Sequence, residues 1–451
     1  MPPSTPVVPA PPTEPSGSPA SEAPADSAST VASANPAVAS PPARRSLLSM
    51  ALAGSAAAAV GVLGGRAPAA TAAGPAPAGG RGHGPGRGRI PGLDDVDVDS
   101  PRPFTEAQLS AEYASDRTVD YVPMLSGFLT LQREHPEVLE ENLERTLRIN
   151  HDASDEQEAA AIVDEYGDMS YTMANGLGAR LGEIYQAAVD AGRLPRTTSL
   201  IHKDGGRAQS ESTNPAKEFF DYDRPYVVAP DRYVPRDKEG GDAYSSTSGA
   251  YPSGHTNQAY WQGTLLATLL PELAPQILAR TAESGHYRIV MAMHYPLDVI
   301  GGRMMGQAAI AKRWADDEFA ELLLAARAEL YAVLQEDCGR DLLRFVQRDT
   351  AYLPAEEACR LYRERLTYGF GRVAPSGVPM DVPRIAASLL RTSHPRLTEG
   401  QRRQVLELTA IDSGHPLDLS VHSTSSWQRI DLCAAMSAHV DVDRDGTVHL
   451  R

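Results

Sequence analysis

The chain has 451 residues, of which 42% are hydrophobic, and its 42 Lys and Arg against 58 Asp and Glu give a formal net charge of -16. This charge excludes a general nucleic-acid binder, and any anion that the protein holds must be held by a local cluster of positive charge. Only three cysteines occur, Cys338, Cys359 and Cys433, so the fold is not a disulfide scaffold; a Cys338–Cys359 bridge and unpaired core thiols both remain open.

Three segments are predicted to precede the folded body. Residues 1–43 are mostly Pro, Ala, Ser, Thr, Val and Glu, a composition that cannot bury enough apolar surface to fold, so we expect a disordered extension. In residues 44–73, twin arginines precede a weakly apolar run and then small residues, which is the layout of a cleaved export signal of the twin-arginine type. A membrane anchor is the alternative, but the run is short and rich in Ala and Gly. Residues 74–103 are expected to form a flexible linker, and the mature protein to be secreted or held in the cell envelope of a bacterium.

Beyond the linker, apolar residues recur three and four positions apart with polar faces between them, the period of an amphipathic helix. This pattern predicts an all-α helical bundle over residues 104–335, with a helical extension over 336–451 that either covers a pocket or extends the core. No uncharged apolar run of 18 residues follows the linker, so no integral membrane span is expected in the mature chain. A short hairpin is predicted about Asp445 and Gly446. Helices are predicted at residues 136–149, 155–165, 170–192, 256–270, 298–313 and 316–337.

Residues suited to chemistry concentrate in three short stretches, KEFFDYDRP, YPSGHT and RIVMAMHYPLD. The stretches contribute Lys217 and Arg224, then Ser253, Gly254 and His255, and finally Arg288, His294 and Asp298. Taken singly, each residue has a commoner structural explanation, such as a solvated cation, an N-cap turn or a hydrogen-bonded histidine. Together they supply three cations, a backbone-rich loop at a helix start, two histidines and a carboxylate.

This combination is what phosphoryl transfer to an enzyme histidine requires. In that scheme neutral His294 attacks phosphorus, while Asp298 accepts a hydrogen bond from the other ring nitrogen and fixes the tautomer. His255 gives its proton to the departing alkoxide and later acts as base for the attacking water. The phosphate oxygens would be held by the other five residues, Lys217, Arg224, Ser253, Gly254 and Arg288.

The three stretches resemble the signature of the type 2 phosphatidic acid phosphatase superfamily: Lys-x6-Arg-Pro, then Pro-Ser-Gly-His, then Arg-x5-His-x3-Asp. That superfamily includes the bacterial class A non-specific acid phosphatases and the vanadium-dependent haloperoxidases. The resemblance implies an all-α bundle with its pocket between helices and, position by position, the roles given above. One departure is Tyr287, which stands where the last block usually has Ser and affects one small hydrogen bond near the phosphate.

The favoured hypothesis is a secreted acid phosphatase that acts on small soluble phosphomonoesters and requires no metal or other cofactor. A vanadium haloperoxidase is the first alternative, because vanadate mimics the phosphoryl transition state and would occupy the same residues. A non-catalytic phosphate-binding surface protein is the second, although it leaves His255 and Asp298 without a purpose beyond binding. Two other motifs are set aside: DVDRDG at 441–446 lacks the Glu of a calcium loop's twelfth position, and DSGHPLD at 412–418 is interpreted as a turn.

Pro296 gives a geometric prediction for the third stretch. Because it disfavours the α conformation at Tyr295, one helix is expected to end near His294 and another to begin at Pro296. Asp298 would then lie in the first turn of the new helix, where the helix dipole favours a carboxylate, and would reach back to the imidazole. Arg288 lies well round the first helix from His294 and must extend its side chain to reach the pocket.

Overall fold

A computed structural model describes residues 90–203, 205–339, 341–422 and 424–451. These residues are predominantly helical, with two short strands, so the all-α prediction is confirmed. The extension predicted at 1–43, the export signal predicted at 44–73 and most of the predicted linker lie outside the described residues.

The helices are numbered in chain order through the described residues. Those that precede the PSGH sequence are α1 (Glu106–Ser110), α2 (Val122–Leu125), α3 (Gly127–Glu134), α4 (Pro136–His151), α5 (Asp155–Tyr166), α6 (Met169–Thr172), α7 (Ala179–Asp190), α8 (Pro195–Ile201), α9 (Asn214–Phe220) and α10 (Pro225–Val228). Those that follow are α11 (Gly254–Leu269), α12 (Ala274–Val290), α13 (Pro296–Ala315), α14 (Asp317–Asp337), α15 (Leu342–Val346), α16 (Ala355–Arg365), α17 (Glu399–Thr409) and α18 (Leu432–Ser437). The strands are β1 (Val440–Val442) and β2 (Val448–Leu450).

Five of the six predicted helices match α4, α5, α11, α13 and α14 to within two residues at each end. The prediction of one helix over 170–192 was wrong, because this stretch divides into α6, a 3-10 turn at Met173–Leu177 and α7. Gly178 separates the turn from α7 with a φ of 106°, a conformation that glycine adopts readily and that no α-helix can include.

Helix α11 lies in the middle of the core. All of its residues from Thr256 to Leu269 are buried except Gln258, which is partly exposed. Such a helix has no polar outer face and must be surrounded by other elements. Its main neighbours are α12 and α13, which carry the third chemical stretch.

The contact between α11 and α13 is unusually close because two glycines of α13 face α11. A Cβ atom on Gly302 would lie 2.6 Å from the carbonyl oxygen of Ser253, and one on Gly306 would lie 2.8 Å from that of Asn257. The Ser253 N–H also donates to the main-chain oxygen of Asp298, at 3.0 Å. The start of α11 and the first turn of α13 are therefore fixed to each other by main-chain atoms.

The C-terminal extension packs against α12 and α13 as part of the same core. Helices α16 and α18 contact α12, and the 3-10 turn Arg384–Leu390 contacts α13. Arg303 of α13 is 1% exposed and donates to the main-chain oxygens of three C-terminal residues, Trp427, Gln428 and Ile430. Of the two roles considered for the extension, these contacts describe an extended core.

The disulfide pairing differs from both arrangements considered for the sequence. Cys359 on α16 is bonded to Cys433 on α18, with a Cα–Cα distance of 5.4 Å, whereas Cys338 is free. Because Cys359 is bonded to Cys433, it cannot also form the bridge to Cys338, which lies just after α14. The pairing follows from the packing of α16 on α18, which sequence spacing does not reveal.

Two smaller predictions near the C-terminus are confirmed. β1 and β2 form an antiparallel hairpin with Val440 opposite Leu450, and Gly446 lies in its turn with a φ of 92°. The DSGHPLD sequence is a turn in which Asp418 accepts a hydrogen bond from the Gly414 N–H at 2.9 Å. Among the described residues, no helix has both the length and the apolar character needed to cross a membrane.

Replacement of Gly302 by alanine should destabilise the protein by about 1–3 kcal/mol, because the new methyl group meets the main chain at Ser253 rather than a mobile side chain. Gly400→Ala is the matched control, since no atom lies within 4 Å of the added Cβ and alanine favours helix. Urea unfolding of the three proteins checks this, and an equal free energy of unfolding for Gly302→Ala and the wild type would contradict the close packing.

Candidate active site

The eight residues singled out in the sequence lie on elements that meet around the start of α11. Lys217 is on α9 and Arg224 caps α10; Ser253 caps α11, which begins with Gly254 and His255. Arg288 is in the last turn of α12, His294 is in the following turn, and Asp298 is in the first turn of α13. Direct contacts link Arg224 to His294 and His294 to Asp298, whereas Arg288 and His255 are linked through Glu165.

The turn between α12 and α13 presents the imidazole of His294. Helix α12 ends at Val290, four residues before His294. Helix α13 begins at Pro296, as expected from the effect of proline on the preceding residue. Within the turn Ala292 has a φ of 52°, and the N–H groups of Met293 and His294 both donate to the Arg288 oxygen. The histidine is thus held by the main chain directly beyond the helix end.

Asp298 makes the contact with His294 that the sequence predicts. Its Oδ2 lies 3.1 Å from Nδ1 of His294 and also accepts a hydrogen bond from the Tyr295 N–H, at 2.8 Å. Both side chains are buried, at 1% and 0% exposure. The carboxylate therefore fixes the plane of the ring from the side of Nδ1.

The contacts of His294 favour one tautomer. Nη1 of Arg224 lies 3.4 Å from Nε2 of His294. Because a guanidinium group only donates hydrogen bonds, this contact favours the form in which Nε2 has the lone pair and Nδ1 carries the ring proton, on the side of the Asp298 carboxylate. In this tautomer the ring nitrogen with the lone pair faces Arg224.

The protonation of this pair follows from its burial. Burial and the positive charges of Arg224 and Lys217 lower the pKa of His294 well below its usual value. Burial raises the pKa of Asp298 to about 7, against the opposing effects of the Tyr295 N–H and of the same two cations. The ring therefore stays neutral, and Asp298, when ionised, accepts the proton that Nδ1 carries.

Main-chain oxygens orient the two cations of the first stretch. The Lys217 ammonium donates to the oxygen of Gly249 and, at 3.5 Å, to that of Ala250. Nε and Nη2 of Arg224 donate to the oxygen and the hydroxyl of Ser248, at 2.9 and 3.0 Å. Burial and the charge of Arg224 lower the pKa of Lys217 to about 7, although Asp298 opposes this.

The PSGH sequence forms the N-terminus of α11. The Ser253 hydroxyl accepts a hydrogen bond from the Thr256 N–H at 3.2 Å, as an N-cap residue does. Gly254 leaves little room for a side chain, because an added Cβ would lie 3.2 Å from the Thr213 hydroxyl. The positive end of this 16-residue helix dipole points to the same place as the cations, which suits an anion.

Glu165 on α5 also belongs to the pocket, and the sequence did not reveal it. Its Oε2 forms an ion pair with Nη1 of Arg288 and lies 3.5 Å from Nε2 of His255. Nη2 of Arg288 donates to the Ala161 oxygen of the same helix, at 3.0 Å. Nothing in the sequence of α5 separates this carboxylate from its acidic neighbours, because its partners are on distant helices.

His255 lies at the open side of the pocket, with 38% of its side chain exposed. Burial of the rest of the ring and the charge of Arg288 lower the pKa of His255 to about 4, and Glu165 opposes that shift.

Tyr287, the residue that departs from the resembled signature, packs in a small apolar cluster with Val290 and Met291. Among the described residues, no group of three or more His, Cys, Asp or Glu side chains is arranged to hold a metal ion.

Comparison with known proteins finds a family match for the part of the chain that carries these residues. Residues 208–318, which contain all eight predicted site residues, match the model of the PAP2 superfamily. An acid phosphatase of Zymomonas mobilis subsp. mobilis is 34% identical over 149 residues, which are 32% of this chain and 52% of that protein. Non-specific acid phosphatases of Providencia stuartii and Salmonella typhimurium are 28% and 33% identical, over 35% and 26% of this chain and 62% and 46% of theirs. The chain thus spans about half the length of the curated relatives it matches.

Sulfate should bind less tightly as the pH rises through about 7, because Lys217 is charged below its lowered pKa and neutral above it. Sulfate is the probe because it stays a dianion over this range. In Lys217→Arg the charge persists, so the affinity lost on the alkaline side should be smaller by about tenfold.

Isothermal titration calorimetry of both proteins on either side of neutrality measures this difference. Both proteins are compared in the Asp298→Asn background, because Asp298, whose pKa is raised to about 7, otherwise titrates over the same range and responds to the charge at position 217. Parallel affinity curves for the wild type and Lys217→Arg would contradict the assignment of Lys217 as a titrating anion ligand.

Proposed function

Because residues 208–318 form a PAP2 superfamily domain, we propose that this chain is an acid phosphatase that hydrolyses small phosphomonoesters through a phosphohistidine at His294. The observation that carries the proposal is the placement of the buried His294, whose Nε2 lies 3.4 Å from Nη1 of Arg224 while Nδ1 lies 3.1 Å from Oδ2 of Asp298. A buried, oriented and neutral imidazole beside guanidinium and ammonium groups suits attack on a bound phosphoryl group.

In the first step, Nε2 of His294 attacks phosphorus and the bond from phosphorus to the leaving oxygen breaks. The ring acquires positive charge, which the buried carboxylate of Asp298 stabilises. Lys217, Arg224 and the N-terminus of α11 hold the equatorial oxygens, whose charge spreads in the transition state. Arg288 joins them from the end of α12.

His255 supplies the proton that the leaving alkoxide needs. In the second step water attacks the phosphohistidine, His255 takes a proton from that water, and Nε2 of His294 is released with its lone pair restored. Since the pKa of His255 is lowered to about 4, its protonated fraction falls as the pH rises, which favours hydrolysis on the acid side. Protonation of Asp298, whose pKa is raised to about 7, acts in the opposite direction and limits the rate at low pH. Glu165 favours the protonated form of His255 and keeps Arg288 in place.

The two other hypotheses lack a specific observation in their favour. The relatives named above are acid phosphatases, which supports hydrolysis over halide oxidation with bound vanadate. A passive phosphate-binding protein has no use for the pairing of Asp298 with His294. The proposed reaction needs no metal, because the protein's own cations and histidines provide charge stabilisation and proton transfer.

Replacement of His294 by alanine should abolish hydrolysis of p-nitrophenyl phosphate, and His255→Ala should lower kcat by about 10²- to 10⁴-fold while sulfate still binds. When the reaction of wild type with ³²P-labelled substrate is stopped rapidly without acid, labelled protein should be found, and His294→Ala should give none.

His415→Ala is the matched control. His415 also follows a Ser-Gly pair but lies outside the pocket, so its replacement should not change the rate. Normal hydrolysis by His294→Ala would refute the mechanism, and vanadate-dependent halide oxidation without hydrolysis would favour the alternative.

We further propose that the protein is exported by the twin-arginine route. The Cys359–Cys433 disulfide supports export, because such bonds persist in oxidising compartments outside the cytoplasm. The choice of route rests on Arg44 and Arg45 before the apolar run. Replacement of Arg44 and Arg45 by lysine should retain the protein in the cytoplasm of a bacterial host, whereas wild type should appear outside it. Immunodetection in cell fractions measures this, and an identical distribution of the two proteins would contradict the proposed route.

A further inference from the structure

The first turn of α13 fixes the position of Asp298, and part of its support comes from another helix. Pro296 is the first residue of α13 and has no N–H, so Leu297 provides the first N–H group of the helix. Leu297 is 0% exposed, and an unpaired N–H there would be costly. Oδ1 of Asn142, on α4, accepts this hydrogen bond at 3.2 Å.

Asn142 is buried among the groups that surround Asp298. It is 0% exposed and is 155 residues from Leu297 along the chain. Burial and the charge of Asp298 raise the pKa of the nearby Tyr222, whereas the Asn142 amide and the Tyr295 hydroxyl oppose this rise. The rings of Tyr222 and Tyr295 lie 4.8 Å apart. Asn142 therefore contacts the helix end that carries Asp298 through Oδ1, and its side-chain nitrogen is buried near Tyr222 without a hydrogen-bond partner of its own.

We propose that Asn142 is a positioning residue for the nucleophile. By capping α13 from α4, it keeps Oδ2 of Asp298 on Nδ1 of His294, and this contact sets the direction of the lone pair on Nε2. The inference rests on the proposed function, because the reaction makes that direction matter. Asn142 lies outside residues 208–318, so the site depends on a side chain beyond the matched domain.

The discriminating variants are Asn142→Leu, which removes the acceptor with little change in volume, and Asn142→Asp, which keeps an acceptor for the Leu297 N–H. Asn142→Leu should lower kcat by about 10- to 100-fold, because a small misplacement of a reacting group has an effect of this size. KM and sulfate affinity should stay within about twofold, because the anion ligands lie on other elements. Asn142→Asp should restore most of the lost rate on the acid side.

Thr146→Val is the matched control for a loss of stability alone. Thr146 is also fully buried on α4, and its hydroxyl donates to the Asn142 main-chain oxygen at 2.9 Å. We expect this variant to unfold more easily but to keep the wild-type kcat. A loss of kcat in Asn142→Leu no greater than in Thr146→Val, or a parallel rise in KM, would overturn the proposal.

A measurement that does not depend on turnover separates this inference from the proposed function. In ¹⁵N-histidine-labelled protein, the Nδ1 proton of His294 should give a downfield resonance that is absent in His294→Ala. That resonance should persist in Thr146→Val and Asn142→Asp and be lost or shifted in Asn142→Leu. An unchanged resonance in Asn142→Leu would refute positioning by Asn142, whatever the wild-type activity proves to be. If Asn142→Leu does not fold, Asn142→Ser, with its shorter side chain and poorer reach, should show the same loss, and an unchanged resonance in it would refute the proposal.

Discussion

The close contact of α11 with α13 is the constraint on which the site depends. Gly302 and Gly306 bring the two helices within main-chain distance, and the Ser253 N–H is bonded directly to the Asp298 oxygen. The N-terminus of α11 is the positive end of its dipole and suits an anion, and the first turn of α13 carries the carboxylate that orients the imidazole. The distance from the N-terminus of α11 to the Asp298 carboxylate is thus set by two rigid helices, and His294 in the preceding turn is oriented by that carboxylate.

The pocket concentrates three positive side chains, although the whole chain has a formal net charge of -16. Buried cations are costly unless they are paired or hydrogen-bonded. Lys217 and Arg224 rest on main-chain oxygens, which leaves their positive charge available to a ligand, whereas Arg288 rests on the carboxylate of Glu165. The three cations are therefore not equivalent, because Arg288 alone among them is directly paired with a carboxyl group.

Local signals in the sequence were sufficient for much of this architecture. Apolar periodicity located the long helices α4, α5, α11, α13 and α14 but not the 17-residue α12. Pro296 marked both the helix break and the place of Asp298 in the first turn of the next helix. The sequence did not reveal Glu165, Asn142 or the Cys359–Cys433 pairing, since each depends on contacts between residues far apart in the chain. The roles of the eight motif residues in catalysis remain predictions, although the structure brings their side chains together.

The attachment of the C-terminal extension has an evolutionary consequence. Arg303 binds that segment through the main-chain oxygens of Trp427, Gln428 and Ile430, not through their side chains. Every residue type offers the same carbonyl group, so substitutions in this loop leave the anchoring hydrogen bonds intact. An insertion or deletion would move these carbonyl groups and leave the buried guanidinium of Arg303 without its hydrogen-bond acceptors. Selection on this loop should therefore preserve its length more strictly than its composition.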